Sequence, residues 1–262
     1  MVLLFAGIVW TTRQPSGDRD WSPDQAVTPS AEFHGHEVTI RRVRDFAWTS
    51  GTEFTSGYDD RTYDLDKIQS AWFVLVPFSK SWRGPAHSFA SFGFADSQFV
   101  SISIEARRET GESYSTLLGL LRKFELIYVV GDERDLIGRR AVYDGTDVYL
   151  YPLESPPERV REVFVSMLQR VNQLHDHPEF YNTLTNNCTS NLIADVNRIA
   201  PGSIPGSWRT VLPGYSDEVA LSLGLIDSSL TLEQTRARYR INDMAAKYFG
   251  QPDFSLGIRN GH

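Results

Sequence analysis

Three residue types in this chain could together carry nucleophilic chemistry: cysteine, histidine and glutamate. Cys188 is the single cysteine among 262 residues, and it directly follows a polar run that ends at Asn187. The apolar residues after it recur at helical spacing, namely Leu192, Ile193, Val196 and Ile199. Cys188 is therefore predicted to begin a helix, where the helix dipole favours the reactive thiolate. We interpret Cys188 as a nucleophile.

A lone cysteine also has a simpler interpretation, because this residue type is commonly a small buried apolar side chain. The polar neighbours of Cys188 argue against burial. A core cysteine would be expected on the apolar stripe of the helix, whereas Cys188 precedes that stripe. We therefore expect an accessible thiol.

A thiol nucleophile needs a base for its proton and a group that orients the base. Two segments of strand-like sequence predict a β-hairpin with a three-residue loop at 95–97. If Phe94 faces Gln98 across this loop, counting outward places His87 opposite Glu105 on one face. His87 is then the candidate general base and Glu105 its orienting acid. A one-residue slip would send the two side chains to opposite faces.

The two faces of the predicted hairpin differ in composition. One face is apolar and suits a core: Ala90, Phe92, Phe94, Val100, Ile102 and Ile104. The face with His87 and Glu105 carries small residues that leave room for another element: Ser91, Gly93, Ser101 and Ser103. Amides at the start of the Cys188 helix, helped by the Asn187 side chain, could bind an oxyanion.

Each of these candidates has an ordinary structural alternative. A single histidine such as His87 is often a hydrogen-bonded structural residue. Glu105 is followed by two arginines, Arg107 and Arg108, and could be a salt-bridged surface carboxylate. The pairing of cysteine and histidine is spatial, so the sequence alone gives a weak motif.

Strand and helix patterns elsewhere predict an α+β fold with helices flanking a mostly antiparallel sheet. Further strands are predicted at 38–44, 71–77 and 124–130, with a strand pair over 139–151 that turns at 144–145. A long amphipathic helix is predicted to start at Pro156 and Pro157, and further helices near 217–223 and 232–249.

Two regions are predicted along the chain. Residues 1–30 comprise an apolar remnant at 2–10, too short to cross a bilayer, and a linker-like polar stretch. The run could be the tail of a longer signal or membrane segment, which would anchor the chain to the inner membrane, or a buried strand. Residues 31–262 are predicted to form a single domain with a helical extension from about residue 201.

Composition limits the possible functions. The chain is 41% apolar, which suffices for a sizeable core, and its formal net charge is −7. An acidic chain without a long basic run gives no electrostatic reason to expect nucleic acid as a partner. One cysteine permits no intramolecular disulfide.

Two histidine pairs raise the alternative of a metal-binding module. His34 and His36, and likewise His175 and His177, alternate as transition-metal ligands can. Each pair is equally typical of a solvated loop, and no cysteine cluster accompanies it. No metal and no cofactor are predicted.

Several longer stretches carry a family resemblance. They are 43–46, 63–68, 86–94 (Ala-His-Ser-Phe-Ala-Ser-Phe-Gly-Phe), 105–109, 128–136 and 181–191 (Tyr-Asn-Thr-Leu-Thr-Asn-Asn-Cys-Thr-Ser-Asn). In order and length they resemble the Lnb N-terminal periplasmic domain family, over about residues 35–225.

The resemblance implies an extracytoplasmic, papain-like α+β domain in permuted order, with the histidine strand before the cysteine helix. By motif, the nucleophile falls on Cys188, the histidine on His87 and a supporting acid on Glu105. The namesake member is a lipoprotein N-acyltransferase, which moves a fatty acyl chain through a cysteine thioester. Related permuted folds also include amidases, peptidases and lipid acyltransferases, so the substrate does not follow from the fold.

These observations predict a cysteine enzyme that transfers acyl groups, similar to a lipoprotein or lipid N-acyltransferase. Its partner would be an acyl-bearing lipid, a lipoprotein or a peptide. Two alternatives are a cysteine amidase or peptidase of the cell envelope, and a periplasmic module that binds lipid, peptide or metal without catalysis.

Overall fold

The chain folds into an α+β domain built on one large sheet. The computed structural model describes residues 14–79 and 81–260. The strands are β1 (Ser30–His34), β2 (Glu37–Arg44), β3 (Ala47–Trp48), β4 (Phe54–Thr55), β5 (Tyr58–Asp64), β6 (Ile68–Pro77), β7 (Ala86–Phe94), β8 (Phe99–Arg107), β9 (Glu125–Gly131) and β10 (Tyr149–Pro152).

The helices lie mostly in the second half of the chain. They are α1 (Thr116–Leu120), α2 (Arg139–Val142), α3 (Pro157–Asp176), α4 (Cys188–Ile199), α5 (Trp208–Val211), α6 (Ser216–Ser222), α7 (Leu232–Tyr239), α8 (Asn242–Tyr248) and α9 (Phe254–Gly257). A π-helical turn, Arg134–Gly138, runs directly into α2. No helix in the described part of the chain is both long and apolar enough to cross a membrane.

The main sheet has the strand order β1-β2-β9-β8-β7-β6-β10, and β5 also pairs with β2. Its neighbours are antiparallel except for β2 and β9, which meet in parallel at Arg44 and Gly131. The predicted fold class, a mostly antiparallel sheet packed with helices, is thus confirmed. Strands β3 and β4 form a separate small ribbon.

The β7–β8 hairpin has the predicted register. Phe89 pairs with Ser103 and Gly93 with Phe99, and the Phe94 amide donates to the Gln98 carbonyl across the turn at 3.0 Å. Extended by two residues on each strand, the same register places His87 opposite Glu105.

The two faces of the sheet support separate cores. The predicted apolar face of the hairpin packs against α3 and α4 through residues such as Phe92, Ile102 and Phe164. The opposite face packs against the π-helical turn, α8 and α9, where Phe89 joins Leu136. Because β-strand side chains alternate, His87 and Glu105 belong to this second face.

Helix α3 forms as predicted. Pro157 occupies its first turn, where a missing amide hydrogen costs nothing. Its buried apolar residues fall on one face of the helix: Val160, Phe164, Met167, Leu168, Val171 and Leu174. This single apolar stripe covers the α4 side of the sheet.

The predicted strand pair over 139–151 is wrong in its first half. Residues 139–142 form α2, and only Tyr149–Pro152 forms a strand. Leu136, Ile137 and Ala141 are buried together in the second core. In a helix these three side chains lie on one side of the backbone, whereas in a strand neighbouring side chains would point to opposite sides. Packing in the second core therefore determines the structure here, against the local preference for a strand.

The segment before β1 contacts the sheet. The amides of Ser16 and Gly17 donate to the Glu125 carboxylate at 2.9 and 3.0 Å. The Arg107 side chain donates to the Gln25 carbonyl at 2.9 Å. A domain boundary near residue 30 stays a prediction, and the apolar run at 2–10 lies outside the described residues.

The helical region after residue 201 is fastened to the edge of the sheet. Asp217 is fully buried and accepts from Arg236 at 2.6 Å and from the Tyr151 hydroxyl at 3.2 Å. A Cβ at Gly214 would lie 1.3 Å from the Arg83 carbonyl oxygen, so only glycine permits this approach. The contact holds the 81–85 loop beside the β7 start, where the candidate site lies.

Candidate active site

Cys188 is the first residue of α4, as the sequence predicts. Asn187 caps the helix: its side chain accepts from the Ser190 amide at 2.9 Å, and the Ser190 hydroxyl accepts from the Asn187 amide at 2.8 Å. This reciprocal capping box satisfies two otherwise free amides of the first turn. Helix α4 therefore begins firmly at the thiol.

The Asn187 side chain has a structural role at both of its ends. Its amide nitrogen donates to the Thr183 carbonyl at 2.7 Å, while its oxygen caps α4. Asn187 is 2% exposed. The observed role of Asn187 is to fix the turn before Cys188, and its help to an oxyanion stays a prediction.

The expectation of an accessible thiol is wrong for this structure. Cys188 is 4% exposed and lies at the border of the α3–α4 core. Its sulfur lies 3.8 Å from the Thr189 hydroxyl. The polar residues around Cys188 are compatible with burial because they hydrogen-bond to one another. The Asn191 side-chain amide donates to the Asn186 side chain at 2.8 Å and to the Asn187 carbonyl at 2.9 Å.

His87 and Glu105 are brought together through a third residue. The distance from His87 Nε2 to Glu105 Oε1 is 3.9 Å, too long for a hydrogen bond. The Ser103 hydroxyl lies between them, 2.7 Å from Nε2 and 2.9 Å from Oε1. The three side chains project from one face of the β7–β8 hairpin, as its register requires.

Two further side chains donate hydrogen bonds to the Glu105 carboxylate. Arg140 donates to Oε1 at 2.7 Å, and Gln25 donates to Oε2 at 2.8 Å. Burial, the largest single effect, would raise the pKa of Glu105, but the charge of Arg140, together with smaller contributions from Arg44 and the Gln25 hydrogen bond, outweighs it and holds that pKa well below its usual range. Glu105 is therefore a carboxylate near neutral pH.

His87 is neutral in this environment. Burial, assisted by the nearby Arg140 charge, lowers the pKa of His87 from 6.5 to about 3, although Glu105 opposes the shift. A neutral imidazole has one nitrogen free to accept a proton. Near neutral pH the His87 imidazole is therefore uncharged and has one nitrogen that can accept a proton.

Cys188 and His87 line one cavity from opposite faces of the sheet. The β7–β8 ladder ends at Phe89 and Ser103, although both strands continue past these residues. At that end a cavity of about 730 Å³ is lined by Cys188, His87 and Glu105 together. Among the described residues no hydrogen bond joins the sulfur to the imidazole.

The cavity is rimmed by large apolar side chains that are exposed to solvent. Those that both line it and are more than a third exposed are Phe78, Trp82, Tyr114, Leu117, Leu184 and Val211. Contact with an apolar ligand would remove their apolar surface from water, which is favourable by roughly 25 cal/mol per Å² of apolar surface buried. The entrance therefore suits an apolar ligand better than a charged one.

One comparison with known proteins gives a match. The family model of the Lnb N-terminal periplasmic domain matches residues 54–214, which is 161 of the 262 residues. The chain belongs to this family. Cys188, His87 and Glu105 all lie inside the Lnb-type match. No curated protein and no solved structure gave a significant match.

Membership of the Lnb family confirms the predicted resemblance and supports an extracytoplasmic location. The permuted papain-like order, the inner-membrane anchor and the acyl-transfer chemistry stay predictions. The histidine pairs stand apart from the cavity: His36 lies 2.9 Å from Asp66, and His175 lies 3.1 Å from the Thr28 hydroxyl. In the described residues no group of three or more His, Cys, Asp or Glu side chains could hold a metal ion.

Three residues that complete the site were missed by sequence reasoning. In the sequence Ser103 is recognisable only as a small residue, Arg140 lies in the segment wrongly predicted as strand, and Gln25 lies in the linker-like stretch. Only Ser103 had a usable signal, since it stands on the same predicted face as His87 and Glu105. The contacts of Arg140 and Gln25 span 35 and 80 residues of sequence.

Proposed function

We propose that this Lnb-type domain is a cysteine acyl-transfer enzyme with Cys188 as nucleophile and His87 as general base and acid. The observation that carries the proposal is the shared cavity: a helix-terminal thiol and a neutral imidazole supported by a carboxylate line the same space. This combination is the minimum that covalent thiol catalysis requires.

The reaction follows from the roles of these groups. The Cys188 thiol gives its proton to the imidazole as the sulfur attacks the acyl carbon of the donor. The imidazolium then gives that proton to the leaving group, and a thioester remains on Cys188. An acceptor amine, hydroxyl or water attacks the thioester, His87 takes its proton, and the sulfur leaves and is reprotonated.

Glu105 is the orienting acid in this scheme. The imidazolium that forms during each half-reaction lies beside a carboxylate, whose charge stabilises it. Arg140 keeps Glu105 ionised, so the negative charge is available whenever the imidazole becomes charged.

The apolar rim favours an acyl-bearing lipid or lipoprotein as the donor. Trp82 and Leu117 are 61% and 64% exposed at the entrance, and both could contact a hydrocarbon chain. A lipoprotein or lipid N-acyltransferase-like activity fits this entrance, and a cysteine amidase or peptidase of the cell envelope would use the same thioester chemistry on a less apolar substrate.

The burial of Cys188 favours one different candidate, a periplasmic module that binds lipid or peptide without catalysis. In that case the thiol would be a core residue and the cavity a binding site. The two functions differ in the reactivity of the sulfur.

Alkylation by iodoacetamide distinguishes them. On the native protein at pH 7.5, the rate of Cys188 carbamidomethylation should exceed that of the His87→Ala variant by at least about 10-fold, in keeping with general-base assistance. The histidine control is His175→Ala, which lies outside the cavity and should react as the wild type does. A thiol that reacts only after unfolding would contradict catalysis and favour the binding module.

A further inference from the structure

The hydroxyl of Ser103 stands between the imidazole of His87 and the carboxylate of Glu105. Its oxygen lies 2.7 Å from Nε2 and 2.9 Å from Oε1, both ordinary hydrogen-bond distances. Ser103 is fully buried, so water does not compete for the hydroxyl. Every polar contact between His87 and Glu105 that is short enough to be a hydrogen bond therefore passes through Ser103.

The direction of each hydrogen bond follows from counting protons. Glu105 is ionised and can only accept, so the single hydroxyl hydrogen of Ser103 points to Oε1. The Ser103 oxygen must then accept on its other side, and the donor is Nε2–H of His87. A neutral imidazole carries one N–H, so Nδ1 bears the lone pair.

Glu105 cannot replace Ser103 as the partner of Nε2 by a simple rotation. Arg140 and Gln25 each donate to a different oxygen of the carboxylate, at 2.7 and 2.8 Å. Reaching His87 directly would break at least one of these buried, charge-assisted bonds. The carboxylate stays in place, and the hydroxyl spans the remaining gap.

We propose that Ser103 is a positioning residue that fixes His87 as the Nε2–H tautomer, so that Nδ1 is the atom that accepts the proton of Cys188. This inference rests on the proposed function for its catalytic consequence, whereas the tautomer itself is a property of the resting domain. As the imidazole becomes charged in the reaction, the same hydroxyl links it to the negative charge of Glu105.

Ser101 provides a matched control. It lies two residues away on the same strand and face as Ser103, and it is also fully buried. Its hydroxyl has no hydrogen-bond partner within residues 14–79 and 81–260. Replacing either serine with alanine removes one buried oxygen, but only Ser103→Ala removes a contact with His87.

The tautomer is measured by ¹⁵N NMR of the imidazole nitrogens of His87 in the native protein, assigned with His87→Gln. The wild type, Ser101→Ala and Ser103→Thr should show a protonated Nε2 and an unprotonated Nδ1. Ser103→Ala should lose this preference and give an averaged or Nδ1–H spectrum. A wild-type Nδ1–H tautomer, or an unchanged Nε2–H tautomer in Ser103→Ala, would overturn the proposal.

Acylation of Cys188 by a p-nitrophenyl ester gives the second readout. Ser103→Ala should lower the second-order rate by about 10- to 100-fold, Ser103→Thr should restore most of it, and Ser101→Ala should leave it unchanged. If the wild-type thiol is not acylated at all, the proposed enzyme function fails, while the NMR result still decides the role of Ser103.

Discussion

Arg140 is the residue whose removal should disturb the site most. Its guanidinium lies 2.7 Å from Glu105 Oε1, and the two side chains are only 10% and 15% exposed. Breaking a buried ion pair by removing one partner typically costs about 3–5 kcal/mol, because the other charge stays buried and unpaired. Arg140→Met should therefore lower the free energy of unfolding by about 3 kcal/mol, the low end of this range, since Gln25 still donates to Glu105.

The double variant Glu105→Gln/Arg140→Met separates this electrostatic cost from lost packing. With no buried charge left behind, it should be less destabilised than the sum of the two single variants by about 1–3 kcal/mol. Arg139→Met is the control, because Arg139 donates to the Gly51 carbonyl at 3.0 Å and not to Glu105.

Urea unfolding followed by circular dichroism measures the free energy of unfolding of the wild type and of these four variants. A cost below about 1 kcal/mol for Arg140→Met, or simple additivity with Glu105→Gln, would refute the assignment of a buried ion pair. The same variant should raise the pKa of His87 towards its usual range, because the Arg140 charge is one cause of its lowering.

Three further predictions follow from the same contacts. Acid should destabilise the domain progressively from about pH 6.5 towards 3, because on acidification His87 is protonated at a higher pH in the unfolded chain than in the folded one. The free energy of unfolding in urea should depend less steeply on pH in His87→Gln than in the wild type. Asn187→Ala should lower the free energy of unfolding by about 1 kcal/mol and change the rate of Cys188 alkylation, because it removes the cap of the helix that begins at the thiol. Thr231→Ala removes the corresponding cap of α7, so it should lower the free energy of unfolding by a similar amount and leave the rate of Cys188 alkylation unchanged. Glu105→Gln should lower the acylation rate less than Cys188→Ala, and equal losses would show that Glu105 is indispensable to the chemistry or the fold.

Local patterns predicted the elements that hold the site. The alternation of apolar residues and the three-residue loop set the β7–β8 register, and the helical spacing after Cys188 set the start of α4. Both patterns lie within a short stretch of chain, where residues that are close in sequence are also close in space.

Long-range packing decided what the sequence did not predict. The asparagines around Cys188 are typical of a solvent-exposed segment, yet the Asn191 side chain donates to the Asn186 side chain and to the Asn187 carbonyl inside the domain. Residues 139–142 form a helix because Ala141 is buried beside the π-helical turn. Gln25 reaches Glu105 across 80 residues, a contact that no local pattern encodes.

We propose that Cys188 forms a thioester with the assistance of His87. Intact-protein mass spectrometry after incubation with p-nitrophenyl octanoate at pH 7.5 tests it most directly, using wild type, Cys188→Ala and His87→Ala. We predict one octanoyl adduct per native wild-type chain, none on Cys188→Ala, and formation at least about 100-fold slower on His87→Ala. Absence of the adduct from native protein, with labelling of Cys188 only after unfolding, would contradict the claim and leave Cys188 as a structural thiol.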